Sequence, residues 1–149
     1  MASILMLNGP NLNLLGEREP ELYGHASLPE LEQRLQNQAK ALGHTLASFQ
    51  SNHEGALVDR VQQTRKDGTA FLLVNPGGYT HSSVALRDAL AAVKLPFIEI
   101  HVSNIQGREP FRRHSYFSDL ALGTITGLGS QGYELALQAA DRWLRTQTH

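Results

Sequence analysis

An arginine and a tyrosine lie five positions apart in the segment GEREPELYG, residues 16–24. Tyrosine acts as a base only as its phenolate, and a guanidinium within about 4–6 Å favours that anion. Glycines at both ends of this segment predict a mobile loop, and the presence of Arg18 and Tyr23 together on it suggests a function. The alternative, on this stretch alone, is a surface loop whose two side chains are merely solvated.

Alternating polarity marks the segment PFIEIHVS, which is predicted to be a strand. Successive residues of a strand point to opposite faces, so one face would carry Glu99, His101 and Ser103. The other face would consist of Ile98, Ile100 and Val102. A carboxylate on the same face as a histidine can orient the imidazole or raise its basicity. An edge strand with one solvated face would show the same pattern, so both interpretations stay open.

The segment NPGGYTHSS, residues 75–83, places glycines and hydrogen-bonding side chains directly before a predicted helix. Glycine lets the backbone approach a ligand closely, and the first free amides of a helix attract an anion. His81 and Ser82 would add side-chain donors there. Alternatively, the two glycines only form the turn, and Ser82 or Ser83 only caps the helix.

The segment SNIQGREPFRRHSY carries three arginines, Arg108, Arg112 and Arg113. Guanidinium groups bind carboxylates and phosphates through paired hydrogen bonds. Arginine runs are usually solvated loops, but this one is set beside two histidines, His81 and His101, in the preceding predicted loop and strand. Together these residues predict a site for a small anionic substrate.

The elements that must position these residues are short apolar runs that alternate with helical periodicity. The predicted strands are SILMLN, HTLASFQSN, TAFLLVN, PFIEIHVS and LGTITG. Helices are predicted from the capping-box pattern of Ser27 and Glu30 to Gly43, through GALVDRVQQTRK, over about 82–93, and from about 131 onwards. This alternation predicts an α/β domain over residues 1–149, with a flavodoxin-like, doubly wound, five-stranded parallel sheet and helices on both faces. Ligands bind beyond the carboxyl ends of such strands, where the polar segments lie.

Composition excludes several classes of protein. The chain has 149 residues, 41% hydrophobic and 18% charged, as expected for a globular protein. A formal net charge of −1 without a basic tract argues against nucleic-acid binding. No apolar run reaches the ~18 residues of a membrane span, and the amino terminus lacks a secretory pattern, so a cytoplasmic location is expected.

The inventory of reactive side chains narrows the chemistry further. The chain has no cysteine, so thiolate chemistry and disulfides are excluded. Its seven histidines show no paired ligand spacing, which argues against a metal site. Schiff-base catalysis needs a lysine, and Lys40, Lys66 and Lys94 all fall at predicted helix ends or at the start of a strand.

Four motifs resemble those of the type II 3-dehydroquinate dehydratases, enzymes of the shikimate pathway. They are NGPNLNLLGEREPELYG, NPGGYTHSSVALRDAL, EIHVSNI and GLGSQGYELAL, and the resemblance runs nearly end to end. It implies reversible loss of water from 3-dehydroquinate to give 3-dehydroshikimate. The elimination would be anti and pass through an enolate, without metal, cofactor or Schiff base.

The resemblance also implies catalytic roles for four residues. Tyr23 would remove a proton beside the ketone, Arg18 would activate Tyr23, and His101 would protonate the departing hydroxyl. Asn11 would help to stabilise the enolate through a water. An unperturbed tyrosine titrates near ~10, so ionising it at pH 7 costs about 4 kcal/mol, and Arg18 would remove a large part of that cost. Residues 16–24 would then form a catalytic lid.

Binding residues follow from the same resemblance. Those implied to contact substrate hydroxyls are Asn75, His81 and Arg112. The backbone of Val102 and Ser103 would bind the carboxylate, and Glu99 would lie near the catalytic histidine. Asp88 would reach the site of a neighbouring subunit in trimers that assemble into dodecamers.

One segment departs from the family pattern. Many relatives have His-Ala before the arginine, where this chain has Gln106 and Gly107 before Arg108. This difference affects how the loop closes over a ligand. It does not change the reaction that the resemblance implies. The alternative function is a flavodoxin-like module that binds a small anion without catalysis, in which Tyr23 would be dispensable.

Overall fold

The computed structural model describes residues 1–17 and 26–147. Five parallel strands form one sheet in the order β2-β1-β3-β4-β5. The strands are β1 Ser3–Asn8, β2 Thr45–Gln50, β3 Thr69–Asn75, β4 Phe97–His101 and β5 Gly123–Thr126. The helices are α1 Leu28–Ala41, α2 Glu54–Gln63, α3 Val84–Val93 and α4 Gln131–Thr146. The predicted flavodoxin-like α/β architecture is confirmed.

Helices cover both faces of the sheet, and alternate residues of each central strand pack on opposite sides. In β1, Ile4 and Met6 pack against α1 and α4, whereas Leu5 and Leu7 pack against α2 and α3. Because β1 and β3 are covered on both faces, they are almost continuously apolar. No helix in the described part of the chain is long and apolar enough to cross a membrane.

Helix α1 begins as its sequence predicts. The Ser27 hydroxyl accepts a hydrogen bond from the Glu30 backbone N–H at 3.3 Å. After the helix ends, Gly43 takes a positive φ of 86° that an L side chain rarely adopts. The predicted apolar stripe is buried at Leu28, Leu31, Leu35 and Ala39, and Leu42 packs partly buried against it.

Two helix boundaries differ from the prediction. Helix α2 ends at Gln63, before the predicted Lys66, and α3 begins at Val84 rather than near Ser82. The chain first forms a 3-10 turn over Gly77–His81, and then the Ser83 hydroxyl caps α3 by accepting from the Leu86 N–H at 3.0 Å. A hydroxyl cap satisfies an end amide that would otherwise be unpaired, and this selects Ser83 over Ser82 as the cap.

Strand β4 lies inside the sheet, between β3 and β5. Each of its residues is buried, so the interpretation as an edge strand with a solvated face is wrong. The connection from β4 to β5, residues 102–122, is built from 3-10 turns and loops and not from an α-helix. This irregular segment covers the polar face of β4, and its Phe117 is fully buried. Polar residues are tolerated on that face because the covering loop supplies hydrogen-bonding groups.

Candidate active site

The carboxyl ends of β1, β3 and β4 surround a cavity at one edge of the sheet. Its lining consists of Pro10, Asn11, Leu12, Asn75, Gly77, Gly78, His81, His101, Val102, Ser103, Ile105, Arg108 and Arg112. The ends of parallel strands meet at one edge, so residues far apart in sequence converge there. The structure therefore brings together seven residues that the sequence predicted for the site: Asn11, Asn75, His81, His101, Val102, Ser103 and Arg112.

The structure does not test the predicted roles of Arg18, Tyr23 and Asp88. Arg18 and Tyr23 lie outside the described residues, and their roles stay predictions. Asp88 is exposed on α3 and away from the cavity of its own chain. Its predicted contact is with a neighbouring subunit's site, so it also stays a prediction.

Arg108 is a cavity residue that the sequence analysis named as one of three arginines but did not include among the residues implied to bind substrate. Its guanidinium donates to the Ser103 hydroxyl at 3.1 Å, and it lines the cavity together with Arg112, whereas Arg113 does not. One loop carries all three arginines, and their spacing gives no sign of which side chains point inward. What the sequence did show is that all three arginines follow just after β4, at the edge of the sheet where the cavity lies.

The buried carboxylate of Glu99 accepts three side-chain hydrogen bonds. Its Oε2 lies 2.5 Å from His101 Nε2 and 2.8 Å from Ser115 Oγ, and its Oε1 lies 2.7 Å from Ser118 Oγ. Burial alone would raise the pKa of Glu99, but hydrogen bonds from His101, Ser118 and Ser115 outweigh it and lower the pKa. Glu99 is therefore an anion at neutral pH.

An ionised Glu99 determines which hydrogen the neighbouring imidazole carries. A carboxylate only accepts hydrogen bonds, so His101 Nε2 must be the donor in this pair. The other ring nitrogen, Nδ1, has no hydrogen-bond partner within the described residues, and His101 lines the cavity. In the imidazolium form of the ring, Nδ1 also carries a hydrogen and can donate it into the cavity. The pair can thus deliver a proton to a ligand.

We expect Glu99→Gln to lower the melting temperature at neutral pH, and the loss to shrink under acid conditions. A carboxyl whose pKa is lowered by folding contributes stability above its unfolded pKa of about 4.3, and this is lost as pH falls through the folded pKa. Thermal unfolding of wild type and Glu99→Gln, at neutral pH and at about pH 3.5, measures the difference in melting temperature. Asp59→Asn, at an exposed position on α2, is the control. A difference that does not change with pH would contradict the ionised state.

His81 faces the cavity as a neutral acceptor. Its Nδ1 lies 2.8 Å from the His114 carbonyl oxygen, which can only accept, so Nδ1 carries the hydrogen. Burial lowers the pKa of His81, and the positive charges of His101 and Arg112 lower it further against the opposing effects of the His114 carbonyl and Glu99. The ring is therefore neutral at pH 7, which leaves Nε2 to accept a hydrogen bond from a hydroxyl.

Two consecutive backbone amides provide a place for an anion. Val102 and Ser103 line the cavity, and neither backbone N–H has a hydrogen-bond acceptor among the described residues. Successive N–H groups of this kind form concave anion-binding sites. Of the predicted glycine segment, Gly77, Gly78 and His81 line the cavity, whereas Ser82 and the first residues of α3 are not among its lining residues.

Asn11 is held in a backbone conformation that few residues adopt. Its φ is 69°, in the left-handed region where asparagine is enriched. Its N–H donates to Asn52 Oδ1 at 2.9 Å, and its carbonyl accepts from the Leu14 N–H at 3.0 Å. These bonds hold the backbone and leave the Asn11 side chain at the cavity.

The loops that follow β1 and β3 touch through their backbones. The Gly9 N–H donates to the Asn75 carbonyl at 2.8 Å, and a Cβ on Gly9 would lie 2.2 Å from the Pro76 carbonyl oxygen. A Cβ on Gly77 would lie 2.9 Å from the Pro10 carbonyl oxygen, and Gly77 has a positive φ of 60°. Glycine is required at both positions because no side chain fits between the loops.

We therefore expect Gly9→Ala to destabilise the protein by about 1–3 kcal/mol or more, because the Cβ forces the two cavity loops apart. Denaturant unfolding measures the change in free energy. Gly55→Ala is the matched control, since Gly55 is exposed in α2 and a Cβ there meets nothing within 4 Å. Equal stability of the two variants would show that the loops separate without cost.

Comparison with known proteins places the chain in a family. Residues 2–141 match the family described as dehydroquinase class II. The chain belongs to the class II dehydroquinases. This confirms the resemblance drawn from the four sequence motifs.

The family membership is supported by close relatives and by solved structures. The 3-dehydroquinate dehydratase of Chromobacterium violaceum is 63% identical over 97% of this chain and 93% of its own. The type II dehydroquinase of Butyrivibrio crossotus superposes with a TM-score of 0.90 at 42% identity, covering 93% of this chain and 96% of its own. That of Propionibacterium acnes gives 0.91 at 41% identity, covering 95% and 97%. These class II dehydroquinases share the whole fold of the described residues.

Proposed function

We propose that this chain catalyses the reversible dehydration of 3-dehydroquinate to 3-dehydroshikimate, and that residues 1–149 form one catalytic domain. The name of the Chromobacterium violaceum relative supports the reaction. The observation that carries the proposal is the buried Glu99–His101 pair at a cavity that is also lined by Val102 and Ser103, with their adjacent backbone amides, and by two arginines. This arrangement combines a proton donor with groups that bind a small hydroxylated anion.

The proposed elimination uses a base and an acid on opposite faces of the substrate. Tyr23, as its phenolate and activated by Arg18, removes the proton beside the ketone and leaves an enolate. Asn11 stabilises the enolate oxygen through a water. The enolate then expels the hydroxyl. The departing hydroxyl takes the proton from His101 Nδ1 and leaves as water. The Nε2 bond to Glu99 holds the ring in orientation during this transfer.

The binding groups match the chemistry of the substrate. The carboxylate would accept hydrogen bonds from the amides of Val102 and Ser103, and Arg108 brings a positive charge to the same cavity. Neutral His81 accepts from a substrate hydroxyl through Nε2, while Asn75 and Arg112 donate to hydroxyl oxygens. Such groups select a polyhydroxylated carboxylate over an apolar ligand.

An imine mechanism finds no support in the positions of the lysines. Lys40 lies in the last turn of α1, Lys66 follows α2, and Lys94 is the C-cap of α3. Each precedes a strand, so all three lie at the amino ends of the strands, opposite the cavity. A nucleophilic amine must touch the substrate carbonyl, which these positions do not allow.

The test is ultraviolet absorbance after mixing chelator-treated protein with 3-dehydroquinate. The product is a conjugated enone and absorbs where the substrate does not. We expect the signal to rise, and borohydride treatment in the presence of substrate to leave the activity intact. A flat trace from folded protein would overturn the proposal and favour a module that binds a small anion without catalysis. Inactivation by borohydride would instead point to an imine.

We also propose a cytoplasmic homo-oligomer, a dodecamer built from four trimers, in which Asp88 reaches a neighbouring subunit's site. The exposed position of Asp88 on α3 is compatible with such a contact. We expect sedimentation velocity to show a species larger than a monomer, and Asp88→Ala to raise KM. The exposed Asp59→Ala is the control. A stable, fully active monomer would rule out the role across the interface.

A further inference from the structure

The motif GLGSQGYELAL contains a buried tyrosine that the proposed mechanism does not use. Tyr133 lies near the start of α4 and is fully buried. Its hydroxyl is 2.7 Å from Asn8 Oδ1 and 2.8 Å from Asn75 Nδ2. Asn8 and Asn75 are paired neighbours at the carboxyl ends of β1 and β3, and of the two only Asn75 lines the cavity. Tyr133 thus connects the buried side of the sheet to the substrate site.

Asn75, Tyr133 and Asn8 form a buried hydrogen-bonded cluster, in which the donors point from Asn75 through Tyr133 to Asn8. A phenol has a single hydrogen, and Tyr133 donates it to Asn8 Oδ1. Its oxygen can then only accept, so it receives a hydrogen from Asn75 Nδ2. On the other side of the same amide, Asn75 Oδ1 accepts from the Gly77 N–H at 3.1 Å. The Asn75 amide is therefore fixed at both ends, and the second hydrogen of Nδ2 remains for a ligand.

The direction of these hydrogen bonds does not change around neutral pH, because the Tyr133 hydroxyl stays protonated. Burial raises the pKa of Tyr133 far above its ordinary value, against a smaller opposing effect of the Asn75 hydrogen bond. The hydroxyl therefore keeps its hydrogen and continues to donate to Asn8. A tyrosinate could not donate to Asn8, because its oxygen only accepts hydrogen bonds, and it would accept from the side-chain amides of both Asn8 and Asn75.

The cluster is incompletely satisfied, which argues that it serves more than stability. Asn8 is fully buried, and its Nδ2 has no hydrogen-bond partner within the described residues. Leaving a buried amide donor unpaired costs stability. An apolar pair at the positions of Asn8 and Tyr133 would avoid this cost but would leave Asn75 Nδ2 without its acceptor.

We propose that Tyr133 is a positioning residue that, together with Asn8, orients the Asn75 amide so that an N–H donor faces a substrate hydroxyl. The proposal rests on the proposed function, because it assumes that Asn75 contacts the substrate. Tyr133 acts through Asn75 and does not touch the substrate itself.

The test compares Tyr133→Phe with wild type for KM and kcat in the 3-dehydroquinate assay. We expect KM to rise about tenfold, because Asn75 loses the partner that fixes its donor. In an Asn75→Ala background the same substitution should change KM less than about twofold, since the residue through which Tyr133 acts is gone. Leu137→Val, a core substitution one turn along α4, is the stability control and should leave KM unchanged.

A second variant keeps the proposal testable if Tyr133→Phe does not fold. Asn8→Ala removes the acceptor and frees the Tyr133 hydrogen to turn towards Asn75, so KM should again rise. An unchanged KM in either folded variant, or equal effects of Tyr133→Phe with and without Asn75, would overturn the proposal. The side-chain amide resonances of Asn75 provide a readout independent of turnover. If wild type is inactive while Tyr133→Phe still alters those resonances, the proposed function fails and the positioning of Asn75 stands.

Discussion

Replacement of His101 by glutamine is expected to lower kcat for 3-dehydroquinate by about 10²- to 10⁴-fold, the range that loss of a general acid produces. Glutamine can place an amide N–H where the imidazole Nε2–H now donates to Glu99, so the buried carboxylate keeps a partner. The amide carries no transferable proton at the position of Nδ1. The substitution therefore removes the acid and spares the fold.

Steady-state kinetics and thermal unfolding of His101→Gln together check this expectation. The melting temperature should stay close to that of wild type while kcat falls. His53→Gln is the matched control, because His53 is exposed at the start of α2 and its side chain makes no capping bond. Turnover of His101→Gln at the wild-type rate would mean that another group protonates the leaving hydroxyl.

Replacement of Tyr23 by phenylalanine is expected to remove nearly all turnover and to retain the fold, because it removes the only oxygen of the proposed base. The loss of a general base costs about 10²- to 10⁴-fold. Arg18→Ala should have a different signature. Ionising an ordinary tyrosine at pH 7 costs about 4 kcal/mol, and this cost falls as pH approaches about 10. The activity of Arg18→Ala should therefore recover as pH rises, whereas that of Tyr23→Phe should not.

The pH dependence of kcat for the two variants measures this difference. Tyr116→Phe is the matched control, since Tyr116 does not line the cavity, and it should retain wild-type activity. Wild-type turnover by Tyr23→Phe would show that the base is misassigned. If Tyr116→Phe also lost activity, the loss in Tyr23→Phe would be explained by a disturbed fold and not by removal of a catalytic base.

The sequence alone determined the local elements, because each depends on neighbours within a few residues. The apolar run TAFLLVN predicts a strand covered on both faces, and Ser27 predicts the start of α1 through a bond to Glu30 three positions on. Strand and helix alternation then restricts the chain to a parallel sheet. The chemistry of the site was also visible, since polar residues follow three of the predicted strands and match the motifs of a known family.

Which of these residues come into contact depends on the tertiary structure. The period of two separates the faces of β4 but does not identify its neighbours, so the sequence could not tell an edge strand from a central one. Glu99 finds Ser115 and Ser118 16 and 19 positions away, and Tyr133 bonds Asn8 across 125 positions. Such contacts could not be predicted from the sequence, because they are selected by the packing of distant segments and not by local preference.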